Sequence, residues 1–353
     1  MQDARKEEII LSGTILSGEE FEPLEGYLCI KRGIIIEMGR GRIEADLEGI
    51  ICPRLVNAHV HVGDSIFKDP PFAPLQELVG PGGMKHQALA RASGEDLVEG
   101  MRRTFMDMVA TGTGAFADFR EGGTDGVDML LESLGTTPLR SRILGRPDPG
   151  SVQVHDECWG IGISSTKDYP RSWAEDAVAA ARSKGKKVAV HAGEAGRDDI
   201  EDALALEPDL LVHMTKASTQ DLREVADAGI PVVVCPRSNL FTGVGPPEVT
   251  EMLDLGIMVG LGTDNVMLSS PDLLSEMNFA LRTLVHNDRQ VFNMCTLNGA
   301  QILGIDRRIG SIDVGKEGCV MVIDGRSNNM WGSRDPLASV VRRARPSDLL
   351  AIF

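Results

Sequence analysis

The sequence has no C-x-x-C pair; its six cysteines, Cys29, Cys52, Cys158, Cys235, Cys295 and Cys319, stand far apart. That argues against a thiolate zinc site and against a disulfide framework, and leaves reduced, mostly buried thiols as the expectation. Long apolar runs are lacking too. No stretch approaches the roughly 20 uninterrupted apolar residues a bilayer span needs, and the N-terminal MQDARKEEII is too charged for a signal peptide. Basic residues are in deficit: 36 Lys and Arg stand against 52 Asp and Glu, a net charge of −16. Such a chain repels phosphate backbones and anionic lipid, so neither nucleic acid nor membrane is an expected partner. A cytoplasmic location is expected.

Hydrophobic residues make up 42% and charged residues 25% of 353 residues, which excludes wholesale disorder and a fibrous chain. The first 50 residues read as short β-branched strands: EIILSGTIL, GYLCIKRG and GIIIEMG. From Gly49 onward apolar strands alternate with amphipathic helices. Candidate strands are IICPRLVNAHVHV in its later part, GAFADFR, LRSRILG, WGIGIS, KKVAVHAG, DLLVHM, PVVVCPRS and IMVGLGTD. Helical stretches such as RSWAEDAVAAARSKG and TQDLREVADAG end at glycine, which suits a helix C-terminus. Eight strands in β/α alternation predict an α/β fold, a (β/α)8 TIM barrel. Two further helices are predicted near 271–286 and 289–303 before strand-like text returns in RRIGSIDVGKEGCVMVID. The expected organisation is a barrel over 51–306 with a small composite β domain from 1–50 and 307–353. The structural alternative, an open doubly wound sheet, would usually carry a glycine-rich dinucleotide loop after its first strand, and none is found there.

Four of the seven histidines fall at the C-terminal ends of these strands. His59 and His61 close the first; a spacing of two puts both imidazoles on one face. His191 closes the fifth, His213 the sixth and Asp264 the eighth. The C-terminal rim of such a barrel is where active sites lie. Imidazoles and a carboxylate converging there are the donors that Zn²⁺ or a similar divalent ion takes.

The segments PRLVNAHVH, VHAGE, VHMT, CPRSNL, LGTDN and IGSIDVGKEG together resemble the amidohydrolase superfamily, most closely its cytosine deaminase and chlorohydrolase-like branch. The resemblance runs in order to about Asp324, most of the chain. It implies a metal-dependent hydrolase on a distorted barrel with a composite β-sandwich made from both termini, with ligands His59, His61, His191 and Asp264, and His213 orienting the attacking water or polarising the substrate. One divalent ion is expected, zinc ahead of iron or manganese, because the strand-four end GIGISSTKDY offers only Lys167, slightly beyond it, as a bridge to a second. Relatives in the family frequently associate as homo-oligomers.

Glu194 decides the expected reaction. It follows His191 by three residues and can reach over the metal site. Deamination of a cyclic amidine adds hydroxide at a C=N carbon while the ring nitrogen gains a proton and ammonia leaves. Glu194 is the candidate general acid and Asp264 the proton carrier from water to the leaving amine. The expected activity is therefore release of ammonia from an amino-substituted nitrogen heterocycle, a purine, pyrimidine or nucleoside. Alternatives are hydrolysis of a cyclic amide by the same metal and water, and a catalytically silent binding or assembly relative. The zinc deaminases of the other fold need H-x-E with P-C-x-x-C, which this sequence does not contain.

Substrate contacts are the least legible part. The segment from Gly63 to about Ala90, with Phe67, Phe72, Leu75, Leu78 and Met84, reads as a lid over a flat heterocycle or as packing on the rim. Lys85 and His86 read first as a solvated face and second as substrate contacts. Arg142, Arg146 and Phe67 are the substrate-binding candidates, the arginines as clamps for a carboxylate, phosphate or sugar.

Overall fold

The computed structural model describes residues 8–353; the charged stretch 1–7 at the N-terminus lies outside them. Four strands come first: β1 (Glu8–Ser17), β2 (Glu22–Lys31), β3 (Ile34–Arg40) and β4 (Leu47–Pro53). The next set is β5 (Leu55–His61), β6 (Thr113–Arg120), β7 (Arg140–Gly145), β8 (Gly160–Ile163) and β9 (Lys187–Ala192). It continues with β10 (Leu210–His213), β11 (Val232–Val234), β12 (Val259–Leu261) and β13 (Asp264–Asn265). Two more, β14 (Val320–Ile323) and β15 (Leu349–Ile352), end the chain.

Strands β5 to β13 form one parallel sheet in the order β12-β11-β10-β9-β8-β7-β6-β5-β13. β12 and β13 are two halves of one strand, broken at Gly262 and Thr263. The first half pairs with β11 and the second with β5, so the sheet curls until its two ends meet along the same piece of chain. This is a barrel-like α/β fold of the TIM type. Helices between the strands cover the outside, with Gly94–Ala110 and Arg171–Ser183 the longest. Strands such as LLVH and the VAVHA of β9 are buried on both faces, which is why they read as continuous apolar runs rather than alternation. The barrel interior is filled by small residues, Ala58, Ala115, Ala117 and Ala189, with Val56, Val212, Val233 and the ring of Phe119.

The two ends of the chain meet in a second sheet of six strands, in the order β15-β14-β4-β1-β2-β3. Here expectation and structure part in detail. IICPRLVNAHVHV is two strands: β4 ends in the small sheet at Pro53, and β5 begins the barrel at Leu55. Arg54, buried between them, donates to Thr113 O at the start of β6 and, at 3.3 Å, to Phe353 O. The expected strand PVVVCPRS stops at Val234, because Pro236 opens the helix Pro236–Phe241; proline at the first helical position is pre-set for that geometry. The predicted helix near 289–303 is two, Asp288–Met294 and Leu297–Ile302, parted at Thr296. No helix among the described residues is long and apolar enough to cross a membrane.

A row of glycines crosses the small sheet. Gly49 on β4, Gly13 on β1 and Gly26 on β2 stand in register. Gly13 has φ +140°, and a Cβ there would lie 2.0 Å from Gly49 O. The strands approach too closely for any side chain. Gly13→Ala is expected to destabilise the protein by about 2 kcal/mol or more, because close-approach and positive-φ sites have no room to relax. Thermal unfolding with a midpoint unchanged from the parent would refute this.

Candidate metal and catalytic site

His59 and His61 project from the end of β5, His191 from β9, His213 from the last residue of β10 and Asp264 from the first of β13. The structure brings all five together. His59 Nε2 lies 3.3 Å and His61 Nε2 3.6 Å from Asp264 Oδ1. One ligand atom from each of His59, His61 and Asp264 fits within 4.8 Å of the others, and so do sets from His59, His191 and His213 and from Glu194, His213 and Asp264. His213 and Asp264 both adopt positive φ, 76° and 57°. Such backbone strain in non-glycine residues persists where surrounding structure over-determines it, and it clusters at working sites.

The imidazoles are turned by fixed partners. His61 Nδ1 donates to Phe119 O at 3.0 Å and His191 Nδ1 to Ile163 O at 2.8 Å. His213 Nδ1 lies 3.1 Å from Asn239 Oδ1, and Asn239 donates in turn to Thr215 Oγ1. In all three rings Nε2 is left facing the centre as a lone pair, the arrangement a metal ligand needs. His59 Nδ1 is buried with no hydrogen-bond partner among the described residues. Below the rings the Phe119 side chain forms an apolar floor, its centroid 4.3 Å from that of His59 and 4.8 Å from that of His191. Burial therefore lowers His59 to about 3, and lowers His61 and His191 too, so all three are neutral donors at physiological pH. Asp264 goes the other way. Burial alone would raise it, but the hydrogen bond from His59 and the surrounding imidazoles hold it well below the usual carboxylate range. Ser238 Oγ donates to its other oxygen at 2.6 Å. Neutral nitrogens around one ionised carboxylate fit a divalent cation.

Glu194 lies just beyond β9, with Oε2 3.5 Å from His213 Nε2. Burial pushes its carboxyl up to about 7. It lines a cavity of about 260 Å³ together with His61, His191, His213 and Asp264.

A second charged cluster adjoins the first. Glu121, directly after β6, places Oε1 3.0 Å from His61 Nδ1 and 2.5 Å from Lys85 Nζ, and Oε2 3.0 Å from Arg120 Nη2. Lys85 also donates to Asn265 Oδ1 at 3.1 Å. Asp64 lies 3.9 Å from Lys85, and burial pushes it up to about 8, so its carboxyl is largely protonated at neutral pH.

Several expectations need correcting. Lys85 is not on a solvated face: it is 3% exposed and reaches the cavity from the helix Met84–Arg91. His86 is half-buried against Gly80 O, outside the cavity. Of the substrate-binding candidates, only Arg146 lines the cavity. Arg142 donates to Leu303 O and lies over Trp159, and Phe67 packs with Leu78, Met267 and Leu268. Leu75 and Val79 of the lid-like segment line the cavity, whereas Phe72 is 83% exposed and stacks on Phe241. Lys167 sits at the cavity mouth, paired with Asp202 at 3.0 Å. Sequence reasoning missed Glu121, although its place immediately after the second barrel strand marks it as a rim residue. Asn265, beside Asp264, carried no signal beyond adjacency.

The amidohydrolase family model matches residues 50–349. A protein named "Putative aminohydrolase" from Methanothermobacter thermautotrophicus is 33% identical over 98% of this chain and 97% of its own. A 5-methylthioadenosine/S-adenosylhomocysteine deaminase from Moorella thermoacetica is 26% identical over 85% and 79%. Among solved structures, a zinc-bound adenosine deaminase from Xanthomonas campestris superposes with TM-score 0.78 at 16% identity, covering 98% of this chain and 91% of that one. At that identity the likeness is one of fold.

Arg237 holds the rim from outside. Its Nε lies 2.5 Å from the fully buried Glu276 Oε2, and its backbone N donates to Oε1 at 2.9 Å. This clamps the helix after β11, which carries Ser238 and Asn239, to the helix Leu273–Thr283. Arg237→Leu leaves a buried carboxylate without its cation and is expected to cost about 3–5 kcal/mol. Denaturant titration would measure it; a loss under about 1 kcal/mol, the scale of an exposed pair, would contradict this account.

Proposed function

The chain belongs to the amidohydrolase family and is a hydrolase of carbon–nitrogen bonds; from that premise we propose that it is a metal-dependent deaminase releasing ammonia from an amino-substituted nitrogen heterocycle. In this reading the barrel runs from β5 to about residue 306, and β1 to β4 with 307–353 form the small β domain, folded as a sandwich. The observation that carries the reading is the position of Glu194. A carboxyl raised to about 7 sits within reach of His213, beside the donor cluster and facing the same cavity. Such a group carries a proton at neutral pH and can give it up. The deaminase name of the Moorella relative points the same way.

His59, His61, His191 and Asp264 would hold one divalent ion, zinc in this reading, which when bound supplies a water of lowered pKa at neutral pH. Asp264, ionised and aimed by Ser238, would take a proton from the attacking water. His213, its tautomer fixed by Asn239, orients the water or polarises the substrate. Glu194 delivers a proton to the ring nitrogen as oxygen bonds to the adjacent carbon. Asp264 passes its proton to the amino group, the C–N bond breaks and ammonia leaves; the proton of the added hydroxyl goes back to Glu194, so the ring now bears a carbonyl and both carboxyl groups end as they began. Water in and ammonia out balance the reaction.

Zinc-loaded protein is expected to release ammonia from at least one class among aminopurines, aminopyrimidines, their nucleosides, triazines and pterins. Asp264→Asn should abolish turnover, since the variant cannot accept the water proton. Glu194→Gln should lower the rate by about 10²–10⁴, the usual worth of a positioned general acid. Full activity in Asp264→Asn would sink the mechanism. An unaltered rate in Glu194→Gln would remove Glu194 from the chemistry.

A further inference from the structure

We propose that Lys85 and Arg146 form an anion-binding corner of the active-site cavity, so that the heterocycle deaminated here carries a carboxylate or phosphate substituent. The reaction is taken from the deaminase reading; the corner rests on its own geometry. Arg146 follows β7 and is anchored by its backbone N donating to Arg120 O at 2.8 Å. Its side chain is 13% exposed and lines the cavity. Its Nε is buried with no hydrogen-bond partner among the described residues. Its one ion pair among the described residues is long: Nη1 stands 4.0 Å from Glu121 Oε1. That same oxygen already meets Lys85 Nζ at 2.5 Å and His61 Nδ1 at 3.0 Å, while Oε2 meets Arg120.

One carboxylate thus serves three cationic side chains, Lys85, Arg120 and Arg146. Arg120 faces away, with Nη1 against Met101 Sδ. Of these three, Lys85 and Arg146 are left facing the cavity, both within 4.0 Å of one oxygen, while Lys167, also in the lining, is paired with Asp202. A buried guanidinium keeps its charge and desolvates at a cost unless an anion meets it. The acidic residues of the cavity do not serve this purpose. Asp168 accepts from Ser164, Asp199 accepts from Ser165 and Gly193 N, and Asp198 is solvent-exposed. Glu194 and Asp264 lie on the side of the imidazole cluster. An anionic group on the substrate would complete the fork of Arg146 and take a hydrogen bond from Lys85, turning the ring toward Glu194.

The test compares matched pairs on zinc-loaded protein: a neutral amino-heterocycle, the same ring with a carboxylate, and the same ring with a phosphate, as with a nucleoside and its monophosphate. One anionic partner should exceed the neutral one in kcat/KM by about 10–100-fold, the range of a charge-assisted hydrogen-bond pair. Which anion wins separates carboxylate from phosphate. Arg146→Met should collapse that ratio toward one through KM, and Arg146→Lys should restore part of it. Equal kcat/KM for neutral and anionic rings, unmoved by Arg146→Met, would overturn the corner and leave the deaminase reading standing. If no ring releases ammonia, equilibrium binding of the carbonyl-bearing anionic rings decides. Binding lost in Arg146→Met would uphold the corner while the deaminase reading fails; binding indifferent to anion and variant would overturn the corner.

Discussion

The structure turns on the broken eighth strand. Gly262 sits so close to β5 that a Cβ there would lie 2.7 Å from both His59 O and His59 Cβ. Thr263 N donates to His59 O at 2.9 Å, and Asn57 grips Thr263 twice, accepting from its N at 3.1 Å and donating to its Oγ1 at 2.7 Å. This bend ends the pairing with β11 and starts the pairing with β5. It also lifts Asp264 into positive φ and points its carboxylate at His59 and His61. Closure of the sheet and placement of the one ionised ligand candidate are therefore the same event. A side chain at Gly262 would push the two strands apart and move Asp264 away from the imidazoles together.

Around that point the cluster is kept neutral and rigid by different means. Phe119 and the small residues of the interior remove water from beneath the rings, which is what keeps the imidazoles unprotonated. Backbone carbonyls at Phe119 and Ile163 and the side chain of Asn239 then choose which nitrogen faces inward. Preorganisation of this kind lets a site receive a cation without rearranging.

The parts of this that the sequence made legible are those governed by period. His59 and His61 share a face because strand side chains alternate, and His191, His213 and Asp264 close apolar runs that only a buried parallel strand explains. Glu194 was legible from its offset to His191. Lys85 was not, since it lies on a short helix in a long connection where neither period nor apolar contrast assigns a face. Its burial comes from Glu121 and Asn265, two residues far away in sequence whose positions depend on the fold. Arg142 and Arg146 differ by four residues and looked alike. The end of β7 falls between them, so one packs on Trp159 outside the rim and the other turns into the cavity. The split of IICPRLVNAHVHV was hidden because both halves are apolar, and only Arg54 marks the change of sheet.

Arg54 also explains how two sheets act as one body. It stands where β4 hands over to β5, with its guanidinium between Thr113 at the foot of β6 and Phe353 at the end of β15. Arg140, at the foot of β7, pairs with Glu317, which also pairs with Arg308. These contacts gather at the N-terminal ends of the barrel strands, away from the imidazole cluster. The small sheet thus stiffens the end of the barrel that carries no chemistry, and its requirements for close glycine packing and buried arginine do not compete with the requirements of the rim. Residues of the rim are free to be strained, charged and partly unpaired, because the stability that tolerates them is supplied at the other end of the same strands.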